Sequence, residues 1–563
     1  MTNARPRIVK CFTRVGDRLV HYRKAGSGPA VVLLHDSPRS SRLHLDTMAA
    51  LMDQFTVYAL DTPGYGNSDP LPTPEPTITE LGVALGETLL ALGLENAALY
   101  ATHTSSKIAL DYVANCSTPP PLLILDGLAI PTGPPDEAFI AEYMRPFHID
   151  AGGAYLAAEW TRIRDGLRWF PWFDSRLECR LPIAIPSPEW LTDFTLDLFS
   201  TGPHYPHAYA GAMRYDARPA LRKVRSPVFV AAKSDDVLYG ALDLLPADRS
   251  ASVSVERLSA DRAEWLAWLR NRLTHFAVEV ARVGQDCAVA TEGPLYVDLT
   301  HGQMLVHRVG PQVAGWRPLL ILEAPATLHA RLWQQTLSNA RATIVPELPG
   351  YGESDPILHA SLDNHADAVA AMLDAIDAQS VDVLAIGCAV PLAVALARRH
   401  PSKIGVLVID GPANGSATNE QIRKRLCPDF SFDPAGGHLH GIWHMLRDRE
   451  AHWPWFDHDS EAIRAVQPQF SPEGLHRALV DILKQPSSYG DAALAGLTLG
   501  GVDLAGVHAS VLLFDLPGDP AYRGVDTLAE SLPRARCINR PVDIATAALV
   551  LSELLNMPEA MTN

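Results

Sequence analysis

Residues 63–69 read Pro-Gly-Tyr-Gly-Asn-Ser-Asp and residues 349–355 read Pro-Gly-Tyr-Gly-Glu-Ser-Asp, so one turn motif occurs twice, 286 positions apart. The agreement spreads outward from it. LLILDG ending at Gly127 answers VLVIDG ending at Gly411, 284 positions on. Trp160, Arg164, Asp165, Pro171, Trp172, Phe173 and Asp174 answer Trp443, Arg447, Asp448, Pro454, Trp455, Phe456 and Asp457, each 283 positions on. SPEWL at Ser187 pairs with SPEGL at Ser471, and Tyr205 with Tyr489. So nearly constant a displacement marks an internal repeat. It predicts two copies, residues 1–283 and 284–563, meeting near the short polar stretch GQDC.

Within each copy short apolar runs alternate with longer amphipathic ones. VVLLH, FTVYALD, AALYA, LLILDG and VFVAA in the first copy match PLLILE, ATIVPE, VDVLAI, VLVIDG and SVLLF in the second. Runs of that length between helical patterns predict strands of a mostly parallel sheet buried on both faces, hence an α/β fold. Residues 128–221 and 412–497 break the rhythm and are rich in Trp, Phe and His. They are expected to form helical caps over the sheet edge where ligands bind.

Bulk properties agree with two domains. A chain of 563 residues exceeds one ordinary core, and 47% hydrophobic with 20% charged residues is a globular composition. The net charge of −17 repels phosphate backbones and anionic lipid, which disfavours nucleic acid or membrane as partner and leaves small neutral or cationic molecules. Seven cysteines without CxxC spacing argue against a disulfide framework or a zinc site. With no leader-like apolar run, a cytoplasmic setting is expected.

The order of motifs, HDSP after a strand, DTPGYGNSD, a strand-turn-helix elbow and then a cap, resembles the α/β-hydrolase superfamily across essentially the whole chain, twice. That resemblance implies a G-x-nucleophile-x-G elbow, an oxyanion hole shaped by the first motif, and an acid and a His after later strands. The strained elbow needs small residues two before and two after its apex. In AALYATHTSSKIAL this selects His103, flanked by Ala101 and Ser105, with Thr104 as the alternative; in VDVLAIGCAVPLAV it selects Gly387, flanked by Ala385 and Ala389. The first elbow is similar to a subgroup with His at the nucleophile position, usually G-x-H-T-G. Cys388 beside Gly387 reads as a buried packing residue rather than a nucleophile.

The remaining family positions depart further. His35, Asp36 and Ser37 stand where the oxyanion-hole motif is usually His-Gly, so Asp36 brings negative charge; the second copy has Glu323 in place of His35. Asp235 and Asp519 follow late strands, where the family places its acid. The stretches VSVERLSADRAEWLAWL and ARCINRPVDIATAAL, where the family's His should follow one further strand, contain no His, so the general base of a Ser-His-Asp triad is missing. His103 is therefore expected to transfer protons itself, oriented by Asp235 or Asp36. The bland alternative is a His filling an obsolete elbow.

In the first cap Trp160, Arg164, Tyr205 and His207 are candidates to meet a substrate, against the simpler reading of packing and loop anchoring. In the second copy Gly387, Cys388, His438, Trp443, Arg447 and Asp519 form the corresponding vestigial set. His440 and His444 have i, i+4 spacing but lack a third ligand, and no metal is expected. These readings converge on a cofactor-free enzyme acting on a small, largely apolar ester, lactone or ketone, with a structural second domain meeting the first in an intrachain interface and homo-oligomerisation left open. A decayed hydrolase serving as a ligand-binding or scaffold protein is the rival. A conventional hydrolase using Thr104 or Ser105 with a cap histidine, His204 or His207, is the third reading.

Overall fold

The computed structural model describes residues 7–276, 292–411, 424–496, 503–530 and 535–556. It divides into two compact units, one of residues 1–148 and 159–288, the other of residues 149–158 and 289–563. The expected junction near residue 284 lies outside the described residues. The segment Ile149–Ala158, within the range read as the first cap, groups with the second unit. One reason is that the Arg447 guanidinium donates to the Ala151 carbonyl there.

The first unit is built on eight strands: β1 (Val9–Val15), β2 (Arg18–Ala25), β3 (Ala30–Leu34), β4 (Thr56–Leu60), β5 (Ala98–Thr102), β6 (Leu123–Asp126), β7 (Val228–Lys233) and β8 (Val253–Leu258). Their order in the sheet is β1-β2-β4-β3-β5-β6-β7-β8. β1 and β2 are antiparallel, as are β2 and β4, and from β4 to β8 every pairing is parallel. β3 is wholly buried because both its faces are covered: Val32 and Leu34 pack in one apolar cluster and Val31 and Leu33 in another. The helix Ile78–Leu92 starts in a capping box between Thr77 and Glu80 and ends on Gly93 at φ +68°. Its Ile78, Leu81, Leu85, Leu89 and Leu92 form the buried stripe.

The second unit repeats this topology with β9 (Gly293–Asp298), β10 (Gln303–Val309), β11 (Leu319–Leu322), β12 (Thr343–Pro346), β13 (Val381–Ile386), β14 (Ile404–Asp410), β15 (Ser510–Asp515) and β16 (Arg536–Asn539). The order is β9-β10-β12-β11-β13-β14-β15-β16, again antiparallel at the β9–β10 and β10–β12 pairs and parallel beyond. Between β6 and β7 the first unit inserts helices including Ala154–Gly166, Pro188–Thr201 and Pro206–Arg214; between β14 and β15 the second inserts Gly437–Ala451 and Pro472–Lys484. Each unit is thus a mostly parallel sheet flanked by helices, with a helical insert after its sixth strand. Among the described residues no helix is long and apolar enough to cross a membrane.

Candidate functional site

Both sheets turn sharply where a central strand enters a helix. After β5 the chain passes through His103 at φ +44° and enters the helix Thr104–Asn115. After β13 it passes through Gly387 at φ +56° before the helix Val390–Arg399. A non-glycine residue in the left-handed region is uncommon and costs about 1–3 kcal/mol, so the surrounding structure must hold it there. Part of that structure is Gly127 at the end of β6. A Cβ at Gly127 would stand 2.5 Å from His103 Cδ2, so the imidazole occupies the space that glycine leaves.

The His103 side chain is 34% exposed, within reach of a ligand, and its Nε2 lies 2.9 Å from Asp236 Oδ2. The partner carboxylate is therefore Asp236, not Asp235. The turn after β7 decides between them: the Asp236 amide donates to the Lys233 carbonyl, and Asp236 Oδ1 accepts from the Leu238 amide at 2.8 Å. That leaves its other oxygen facing the elbow, while Asp235 is exposed. Burial pulls the His103 pKa down, but the hydrogen bond and charge of Asp236, joined by Asp36 and Asp126, more than offset it and raise it above the ordinary value. Desolvation pushes Asp236 up, and His103 overrides it, so this carboxyl sits below the usual range. With Nε2–H on Asp236, Nδ1 is left without a hydrogen bond to any described residue.

Asp36 faces the same space. Its Oδ1 is buried without a hydrogen-bond partner, and burial raises its pKa although His103 and Arg39 pull it back in part. The Tyr209 phenol, hydrogen-bonded to Tyr143, lies within electrostatic reach of Asp36 and Tyr65. Ser37 donates to the Tyr65 oxygen, and Tyr65 donates in turn to the Tyr205 carbonyl at 2.5 Å. Sequence reasoning missed Arg39. Its Nε donates to Asp197 at 2.7 Å and its Nη2 to Asp193 at 2.6 Å, joining the loop that bears Asp36 to the cap helix Pro188–Thr201.

Other expected site residues serve the framework. Both ring nitrogens of the buried His35 are engaged: Nε2 accepts from the Thr62 amide at 2.9 Å and Nδ1 donates to the Asp36 carbonyl at 2.7 Å. The Ser105 hydroxyl is buried and donates to the His35 carbonyl, and Thr104 is buried at the helix start. Among the described residues no histidine is hydrogen-bonded to either hydroxyl, while His204 and His207 lie with rings 5.2 Å apart in the cap. Burial, aided by His204, lowers the His207 pKa. Tyr205 is an anchor, its hydroxyl donating to the Arg145 carbonyl at 2.6 Å; Tyr489 donates to the Pro428 carbonyl at 2.7 Å. Trp172 and Trp455 likewise donate to the Tyr143 and Leu426 carbonyls at 3.1 and 3.0 Å. Trp160 is buried, and Arg164 is half-buried with no hydrogen-bond partner at Nε.

The second unit has a different arrangement. Gly387 offers no side chain, and the Cys388 thiol is buried and pushed up by desolvation, which makes it a poor nucleophile. Asp519 is consumed by the amides of Ala521 at 2.8 Å and Ala465 at 2.9 Å. Trp443 and His438 are buried on the helix Gly437–Ala451, and Arg447 stacks over Phe470 at 4.4 Å. Among the described residues no group of three or more His, Cys, Asp or Glu is placed to hold a metal ion.

Near the empty elbow, His329 lies between two buried glutamates, its Nδ1 3.0 Å from Glu323 and its Nε2 2.9 Å from Glu450. Burial opposes the charge, but the two carboxylates win and push the imidazole pKa up to about 10. His329→Gln, which removes the cation both glutamates share, should destabilise the second unit by about 3–5 kcal/mol in denaturant unfolding. The folded pKa lies above the unfolded value of about 6.5, so the stabilisation is full below that pH and fades as pH rises through about 10.

The strand order, the left-handed turns after β5 and β13, and the inserts make each unit an α/β-hydrolase fold. No family model matches the chain. It is 30% identical over 115 residues to the 2-hydroxymuconate semialdehyde hydrolase of Pseudomonas sp. (strain CF600), covering 20% of this chain and 37% of that protein. It is 28% identical over 128 residues to the 2-hydroxy-6-oxononadienedioate/2-hydroxy-6-oxononatrienedioate hydrolase 2 of Pseudomonas putida, covering 22% and 41%. The chain thus spans about two fifths of the curated relatives' length. Similar solved structures include a mutant of potato epoxide hydrolase, with TM-score 0.40 and 17% identity, covering 48% of this chain and all of that one. An enol-lactonase from Burkholderia xenovorans has TM-score 0.37 and 18% identity, covering 47% of this chain and 99% of that one.

Proposed function

We propose that this chain is a cofactor-free enzyme of the α/β-hydrolase superfamily whose chemistry runs in the first unit, with His103 transferring protons and Asp236 orienting it. One observation carries the reading: an imidazole at the left-handed elbow apex, a third exposed, with Nε2 on a carboxylate and Nδ1 free of any described partner. In that geometry Nδ1 accepts a proton from a bound water or from an acidic carbon of the substrate, and Asp236 stabilises the imidazolium that forms. Asp36 stands where negative charge develops in acyl chemistry. Burial raises its pKa above the ordinary carboxylate value, although His103 and Arg39 pull it back in part, which weakens the repulsion it exerts on an oxyanion.

The substrate class is a small, largely apolar ester, lactone or ketone. The names of the two Pseudomonas proteins, hydrolases of a semialdehyde and of an oxo-dienedioate, support a carbonyl carbon as the reacting centre. The second unit, with glycine at its apex, is structural with respect to this reaction. The equivalent Trp172 and Trp455 hydrogen bonds support an origin of both units by tandem duplication.

The test is to incubate wild type and His103→Ala with a library of small esters, lactones, ketones and amides and follow depletion by mass spectrometry. Consumption by wild type alone is the expected result. Equal consumption by both removes His103 from the mechanism. Retention of one compound by both without turnover replaces an enzyme with a binding protein.

A further inference from the structure

The second unit contains a solvent-open cleft of about 60 Å³ in front of its side-chain-less elbow. The acidic groups lining it are already occupied. Glu323 and Glu450 hold His329, and Asp410 accepts from Arg540 at 2.6 Å and from Tyr522 at 2.5 Å. The unmet hydrogen-bonding capacity belongs to donors. Among the described residues the fully buried Trp333 indole N–H has no partner, and Arg464 Nε is buried with no hydrogen bond, though ion-paired with Asp519 at 3.5 Å. Arg449 spends Nη2 on the Ala324 carbonyl at 3.2 Å and has no carboxylate within ion-pair distance among the described residues. At the elbow a Cβ on Gly387 would meet nothing within 4 Å, so the apex opens directly into the cleft. Ile386, Trp453, Val466, Val542 and Ile544 give it apolar walls.

From unmet donors over apolar walls we infer that this cleft binds a small organic carboxylate and does not turn it over. The carboxylate accepts from Arg449, with Arg464 and Trp333 as the further donors, and its hydrocarbon part rests on the apolar side. The donors select an acceptor-rich head group, and the glycine apex supplies the room that a catalytic side chain would fill. The proposal stands apart from the His103 chemistry, because every group it uses lies in the second unit.

Calorimetric titration of the full chain with benzoate, and with isovalerate as an aliphatic probe, tests it. Saturable one-site binding of at least one acid is expected, about tenfold or more tighter than that of benzamide or isovaleramide. Arg449→Gln should weaken it about tenfold or more. Gly387→Asn should weaken it as well, since Asn tolerates the left-handed backbone and its side chain would stand in the cleft. His103→Ala should leave it unchanged. Circular dichroism checks that the variants are folded, and Gly387→Ala, with its smaller side chain, should retain more affinity than Gly387→Asn. Absence of binding by both acids at millimolar concentration overturns the proposal, as does binding that ignores both cleft variants or that disappears in His103→Ala.

Discussion

His103→Ala is expected to lower kcat/KM for the compound consumed in the first unit by about 10²–10⁴-fold, the usual contribution of a positioned acid-base group. The loss should fall on kcat and leave KM nearly unchanged, because the imidazole is asked to move a proton rather than to hold the substrate. Alanine keeps the Cβ that strains this left-handed apex, whereas glycine removes it. Thermal unfolding is therefore a control: His103→Gly should fold at least as well as His103→Ala and be equally inactive. A variant that keeps full turnover would reduce His103 to a filler of the turn.

Asp236→Asn is the second large effect. The amide still hydrogen-bonds Nε2, but it can present its oxygen or its NH₂ group, so the tautomer with a free Nδ1 lone pair is no longer enforced and the imidazolium loses its counter-charge. A fall of about 10²–10⁴-fold in kcat is expected. The pH profile distinguishes this from simple loss of packing. In wild type His103 must lose its proton to act as base, and its pKa is raised, so the acidic limb of kcat/KM lies above the ordinary value near 6.5. Without the Asp236 charge the pKa falls, and the limb moves toward lower pH. Asp235→Asn should do neither, since that side chain is exposed and the neighbouring turn aims Asp236 instead.

Much of the architecture was legible because the repeat supplied its own check. Five apolar runs in each copy became the parallel strands β3 to β7 and β11 to β15. β1 and β2 gave no such signal: at the sheet edge and next to it they mix buried Lys10, exposed Arg14 and half-buried Arg18 rather than forming a continuous apolar run. At the site, the small residues an elbow needs on either side of its apex are chain neighbours, so the apex is legible without tertiary information. The partner carboxylate does. Asp235 and Asp236 are adjacent and chemically identical, and only the turn closed by the Lys233 carbonyl decides which one faces the elbow. Gly127 stood in the repeated LLILDG and VLVIDG runs, yet its role depends on a ring from another strand. The engagement of His35 was not legible for a similar reason, since the Thr62 amide that captures its Nε2 is remote in sequence.

The His103–Asp236 pair can be tested before any substrate is known. NMR titration of histidine-labelled protein, with the His103 resonance assigned by its loss in His103→Ala, reads the imidazole directly. A midpoint above 6.5 that drops in Asp236→Asn is the predicted result. A His103 that titrates at or below 6.5 and is indifferent to Asp236→Asn would contradict the pairing, and with it the proposed chemistry of the first unit.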